Sequence, residues 1–105
     1  MVPTNTAKTL ADGMAVREPV QAAFDIYSKG AARFITVSDA EIAQAIRVYF
    51  SDIHNLAEGA GAASLAALLQ EKDEMQGKKV GVILTGGNID TAWFSKILAR
   101  ETPQI

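Results

Sequence analysis

Apolar residues recur along this chain at helical spacing in several stretches and run unbroken in one other. Over 19–29, Val20, Ala23, Phe24 and Tyr27 fall on one face. Pro19 suits the first position of that helix, because its missing N–H would have no helical partner there, and Gly30 is a suitable stop. Ser38-Asp39-Ala40-Glu41 has the form of a capping box. The Ser38 hydroxyl can accept from the Glu41 N–H while the Glu41 carboxylate reaches back to the Ser38 N–H. The helix that follows carries the stripe Ile42, Ile46, Tyr49, Phe50 and Ile53, and Asn55 is the predicted terminator. The aromatic residues at 49, 50, 93 and 94 read as packing residues. Over 59–69 the chain is small or apolar around the whole circumference. That predicts a helix buried on most sides, its small residues close to other backbone and its polar end at 71–74 in solvent. Asp90 is placed to cap a last helix containing Ala92, Trp93, Phe94, Ile97 and Leu98.

Two stretches read as strands. Residues 33–37 supply Phe34, Ile35 and Val37, and residues 80–84 form an unbroken apolar run suited to a parallel strand covered on both faces. Residues 1–13 look irregular. The order helix, strand, helix, helix, strand, helix is an α/β pattern. Two strands do not make a stable sheet, and a strand buried on both faces needs neighbours. The 105 residues therefore read as a single segment of a larger body, completed by covalent continuity or by assembly.

Composition narrows the field. With 10 Lys and Arg against 12 Asp and Glu, the net charge is -2, which gives no reason to expect nucleic acid or a membrane surface as partner. There is no cysteine, so disulfides, thiolate metal sites and cysteine nucleophiles are excluded. No apolar run reaches the ~18 residues of a membrane span. Lys8 and Asp12 interrupt any signal-peptide pattern. A cytoplasmic protein is the expectation.

The strongest local chemical signal is the run 80–84 ending in Thr85-Gly86-Gly87-Asn88 ahead of a helix. Ligands of open α/β sheets sit beyond the carboxyl ends of strands, and a Gly-Gly pair lets a flat ligand or an oxyanion approach the backbone. The alternative is a tight turn into the last helix. Glu58, among apolar neighbours, either caps the small-residue helix, reaches solvent or is held in a site. Gly59-Ala60-Gly61 is no dinucleotide fingerprint, since Ser64 stands where the third glycine would be. His54, the single histidine, reads as a solvated or helix-end residue.

Three segments taken together carry a resemblance. Thr9-Leu10-Ala11-Asp12-Gly13-Met14-Ala15-Val16 resembles the T-I/L-A-D-G-x-A-V segment of threonine dehydratases. Ala57-Glu58-Gly59-Ala60-Gly61-Ala62-Ala63 resembles their A-E-G-A-G-A-A segment, and Val82-Ile83-Leu84-Thr85-Gly86-Gly87-Asn88 their V-x-L-S-G-G-N segment. Order and spacing agree from about residue 9 to residue 98. The chain thus resembles the threonine dehydratase and serine racemase group of fold-type-II pyridoxal-phosphate enzymes, relatives of the tryptophan synthase β-chain.

The resemblance implies a partial three-layer α/β/α architecture, the C-terminal section of the large catalytic domain. It implies pyridoxal phosphate as cofactor of the complete enzyme and an amino acid as substrate. Thr85 would stand where a hydroxyl meets the pyridine nitrogen; most threonine dehydratases have serine there. Gly86 and Gly87 would wall the ring, Gly13 would lie near the cofactor, and Glu58 would be an acid close to the ring. The Schiff-base lysine of the family lies in an S-F-K-x-R type motif, and no such motif occurs in these residues. No catalytic residue and no metal ligand is therefore assigned to them. The segment by itself should be inactive, and it should associate with the missing part of the enzyme or with copies of itself. Because the chain ends soon after the last predicted helix, no regulatory domain is expected. The implied reaction is β-elimination from threonine or serine to a 2-oxo acid and ammonia. A lyase for another β-substituted amino acid such as hydroxyaspartate, or a non-enzymatic interaction module on this fold, are the other readings.

Overall fold

The computed structural model describes residues 2–105. Among them four α-helices occur, α1 at Gln21–Gly30, α2 at Asp39–Ile53, α3 at Gly59–Gln70 and α4 at Thr91–Leu98, preceded by a short 3-10 turn at Asp12–Met14. Helix α2 is the organiser: it packs against α3 and α4, and α3 in turn carries the 3-10 turn.

The start of α2 follows from its sequence. Ser38 Oγ accepts from the Glu41 amide at 3.2 Å while the Ser38 amide donates to Glu41 Oε2 at 2.7 Å, the reciprocal pair a capping box requires. The buried face is Ile42, Ala43, Ala45, Ile46 and Tyr49, the three-and-four spacing of an amphipathic helix. The helix ends at His54, in the left-handed conformation at φ 56°, rather than at Asn55.

Helix α3 buries Gly59, Gly61, Ala62 and Ala66, and its small residues let neighbouring backbone come close. Helix α4 begins where Asp90 accepts from the amides of Ala92 (2.8 Å) and Trp93 (3.2 Å). Phe94 sets its ring edge-on against Phe50, centroids 5.3 Å apart. Leu10, Ile46 and Ile97 are the largest fully buried side chains, each contributing about 1.5–3 kcal/mol of hydrophobic stabilisation. The Tyr49 hydroxyl is buried without a hydrogen-bond partner.

The two expected strands do not form. No strand occurs among the described residues, and the α/β order becomes helical with two extended connections. Both connections run beside α3. The Gln70 side chain donates to the Thr36 carbonyl at 3.0 Å, and Ser64 Oγ donates to the Ile83 carbonyl at 2.9 Å. Ile35, Ala67, Leu68, Val80 and Val82 line a common groove. Arg33 pairs with Glu71. A β-ladder needs a partner at hydrogen-bond distance, and no backbone hydrogen bond joins these two segments. Burial of 80–84 on both faces is absent for the same reason, with Ile83 left 74% exposed.

Helix α1 also departs from expectation. It packs against no other helix, and all of its residues are exposed. Its aromatic face closes locally instead, Phe24 on Tyr27 and Tyr27 on Phe34, each pair with centroids 5.5 Å apart. No described helix is long and apolar enough to cross a membrane.

Candidate functional site

The N-terminus of α3 is where the conspicuous sequence segments meet. Glu58 immediately precedes the helix, but its carboxylate does not cap it. It reaches across the chain, and Oε2 accepts from the Asn88 amide at 3.0 Å. The Glu58 amide donates to the Gly86 carbonyl, also at 3.0 Å. Glu58 thus grips the turn 85–88 at two points, one through its main chain and one through its side chain. The capping and solvent alternatives give way to a structural bridge between two segments thirty residues apart.

Glycines make this approach geometrically feasible. A Cβ on Gly86 would stand 3.0–3.1 Å from the three carboxyl atoms of Glu58. A Cβ on Gly13 would stand 3.0 Å from Ala60 Cβ and 3.5 Å from Glu58 Oε1. A Cβ on Gly87 would stand 2.6 Å from the Leu56 carbonyl oxygen. Gly13 and Gly86 therefore flank the carboxylate on two sides, and Gly87 sits against the stretch leading into it. Thr85, next in the chain to Gly86, is exposed. The structure brings Gly13, Glu58 and Gly86 to one place, with Gly87 and the exposed Thr85 flanking Gly86 in the chain.

Beside this junction lies a cleft of about 230 Å³ lined by Leu10, Asp12, Glu58, Asn88, Asp90 and Trp93. Its charged groups are carboxylates. No group of three or more His, Cys, Asp or Glu side chains among the described residues could hold a metal ion.

Two further supports hold the junction, and the sequence names the partner of neither. Gly61, one turn into α3, would with a Cβ collide with the Gly86 carbonyl oxygen. The segment that carries Gly13 is tied to the start of α2, where Asp39 accepts from both Thr9 and Leu10. The partners are 25 and 30 residues apart, beyond the reach of spacing arguments.

A family model described as pyridoxal-phosphate dependent enzyme matches residues 1–86. An L-threonine ammonia-lyase of Thermotoga maritima is 40% identical over 92 residues, covering 88% of this chain and 23% of that protein. An L-threo-3-hydroxyaspartate ammonia-lyase of a Pseudomonas species is 33% identical over 98 residues, covering 93% of this chain and 31% of that protein. Among solved structures, a threonine deaminase from T.th. superimposes with a TM-score of 0.78 at 26% identity, over 86% of this chain and 33% of that one. The chain thus spans a third or less of the length of these relatives.

Proposed function

Since the chain belongs to the pyridoxal-phosphate-dependent enzyme family, we propose that it is the C-terminal section of the catalytic domain of a lyase acting on threonine or serine, and that the complete enzyme eliminates the β-hydroxyl group. Net, the amino acid becomes a 2-oxo acid and ammonia. Water leaves with the β-hydroxyl, and water returns when the resulting enamine hydrolyses. The observation that carries the reading is the convergence of Gly13, Glu58 and Gly86 at one junction, with Thr85 exposed next to Gly86 in the chain. The named relatives support it, since threonine and 3-hydroxyaspartate share a β-hydroxyl on an α-amino acid.

The residues present fit the cofactor. Glycine at 86 and 87 lets the turn close against the Glu58 carboxylate and the Leu56 carbonyl, and Glu58 holds the backbone of that turn beside the exposed Thr85. When bound, pyridoxal phosphate supplies the electron sink that labilises the bonds at the substrate's α-carbon. The Thr85 hydroxyl would donate a hydrogen bond to the ring nitrogen. A hydroxyl is too weak an acid to protonate that nitrogen outright. The ring would stay less electron-withdrawing than beside an aspartate, which favours prompt loss of the β-substituent. Gly86 and Gly87 would wall the ring, Gly13 would lie near it, and no catalytic residue is assigned to these positions.

The architecture belongs to the same proposal. Residues 33–37 and 80–84 are taken to become strands of a three-layer α/β/α domain once the rest of the polypeptide lies beside them. The apolar side chains left exposed there, Phe34 and Ile83 among them, are what such neighbours would cover.

The experiment is a pair of substitutions in the complete enzyme. Thr85→Ala is expected to lower turnover and to shift the absorption maximum of the bound cofactor, whereas Thr85→Ser, which keeps the hydroxyl, retains both. Turnover and spectrum unchanged in Thr85→Ala would remove Thr85 from the site. A panel of β-hydroxy amino acids assayed with the same enzyme separates threonine or serine from hydroxyaspartate as the substrate.

A further inference from the structure

Asp39 occupies the first turn of α2, where an acidic residue ordinarily serves the helix end. Here the capping work is done by Ser38 and Glu41, and the Asp39 carboxylate turns to a segment thirty residues earlier. Oδ1 accepts from the Thr9 hydroxyl at 2.5 Å, and Oδ2 accepts from the Leu10 amide at 3.0 Å. The same Thr9 oxygen accepts from the Ala11 amide at 3.1 Å. One carboxylate and one hydroxyl therefore satisfy two consecutive backbone donors of a buried stretch, for Leu10 is 1% and Ala11 3% exposed.

That stretch lies directly on the candidate site. A Cβ at Gly59 would collide with the Leu10 carbonyl and come within 2.9 Å of Ala11 Cα, so the 10–11 backbone rests on the first residue of α3, next to Glu58. From Ala11 the chain enters the 3-10 turn, held by the Met14 amide on the Ala11 carbonyl (2.9 Å) and the Ala15 amide on the Asp12 carbonyl (3.0 Å). This turn delivers Gly13 to Ala60 and Glu58. The route from Asp39 to Gly13 runs through the bonds to Thr9 and Leu10 and then along the chain into the hydrogen-bonded 3-10 turn.

We propose that Asp39, acting through Thr9, is a positioning residue for the cofactor face: it fixes the 9–11 segment and thereby the distance between Gly13 and Glu58. The proposal rests on the reading that the junction of Gly13, Glu58 and Gly86 faces the cofactor. Loss of a side-chain partner one step removed from a metal ligand typically alters metal affinity by about 10- to 100-fold, and a rise of the same order in the cofactor dissociation constant is the expected effect here.

The test uses the complete enzyme with Asp39→Ala, Thr9→Val and Thr9→Ser, and Thr85→Ala and Glu58→Gln beside them. For each, the apoenzyme is titrated with pyridoxal phosphate, the absorption maximum of the bound cofactor is recorded, and the urea midpoint is measured. Asp39→Ala and Thr9→Val are expected to weaken cofactor affinity about tenfold or more and to move the absorption maximum, while Thr9→Ser, which keeps the hydroxyl, restores both. Should Asp39→Ala not fold, Thr9→Val against Thr9→Ser decides, since valine matches threonine in shape. A lowered urea midpoint with native affinity and spectrum would reduce Asp39 to a structural tie and overturn the proposal. If Thr85→Ala and Glu58→Gln perturb the cofactor while Asp39→Ala and Thr9→Val do not, the positioning role falls and the site stands. If none of the four perturbs it, the site reading falls and takes the positioning role with it.

Discussion

Replacing Gly61 by alanine sets two effects of opposite sign against each other. In a helix interior, glycine to alanine ordinarily gains about 1 kcal/mol. Here the new Cβ would stand 3.0 Å from the Gly86 amide nitrogen, 3.2 Å from Leu84 Cδ1 and closer still to the Gly86 carbonyl oxygen. To restore an ordinary contact the carbonyl would have to retreat by about 1 Å, and backbone cannot swing aside as a flexible side chain can. Overpacking of this kind costs about 1–3 kcal/mol. The same carbonyl receives the Glu58 amide at 3.0 Å, and loosening that bond adds about 0.5–1.5 kcal/mol. The losses exceed the gain, so Gly61→Ala is expected to destabilise the complete enzyme by about 0.5–3.5 kcal/mol and to weaken cofactor binding by displacing Thr85 and Gly86. Gly30→Ala is the control. Nothing lies within 4 Å of a Cβ there, so it is expected to be neutral or to stabilise by up to about 1 kcal/mol. Urea unfolding and cofactor titration measure both. A Gly61→Ala enzyme as stable as Gly30→Ala, with native cofactor affinity, would refute the claimed close approach of α3 to the turn.

Three further predictions use other parts of the fold. Asp90→Ala removes the acceptor for two amides at the start of α4 and should cost about 1 kcal/mol, read as a lower urea midpoint. Tyr49→Phe deletes a buried hydroxyl that has no partner and should leave stability unchanged or raise it by about 1 kcal/mol; a clear loss would reveal a partner for that oxygen. The Glu41 carboxyl is held below its ordinary value of 4.5, chiefly by the Ser38 amide and next by the Gln70 side chain. Its stabilising contribution is therefore complete above that ordinary value and is lost as pH falls through the depressed one. Glu41→Gln should flatten the acid limb of a stability–pH profile below about pH 4.5, and an unchanged limb would contradict the assignment.

What could be read from sequence divides along the range of the interactions. The capping box of Ser38 and Glu41 and the Asp90 cap join residues two or three apart and stand where the pattern put them; the stripe on α2 holds at Ile42, Ile46 and Tyr49 but leaves Phe50 41% and Ile53 56% exposed. The predicted close packing of the small-residue helix also holds, with Gly59 and Gly61 against foreign backbone. The strands failed because extended propensity at 33–37 and 80–84 becomes a sheet only with partners, which these residues do not supply to one another. His54 ends α2 without a glycine to announce it. Glu58 can be singled out as an acid in apolar company, but its grip on Asn88 depends on a fold that spacing does not encode. Asp39 reads in sequence as a cap or turn residue, and its bond to Thr9 is invisible there for the same reason.

The groove that both extended segments line has a consequence for the cell. Unpaired β-edges with apolar side chains template pairing with other chains. A polypeptide released with this region made but its neighbours missing or misfolded would display Ile83 and Phe34 beside open backbone. Such a product is suited to capture by chaperones or proteases, and at high concentration to self-association.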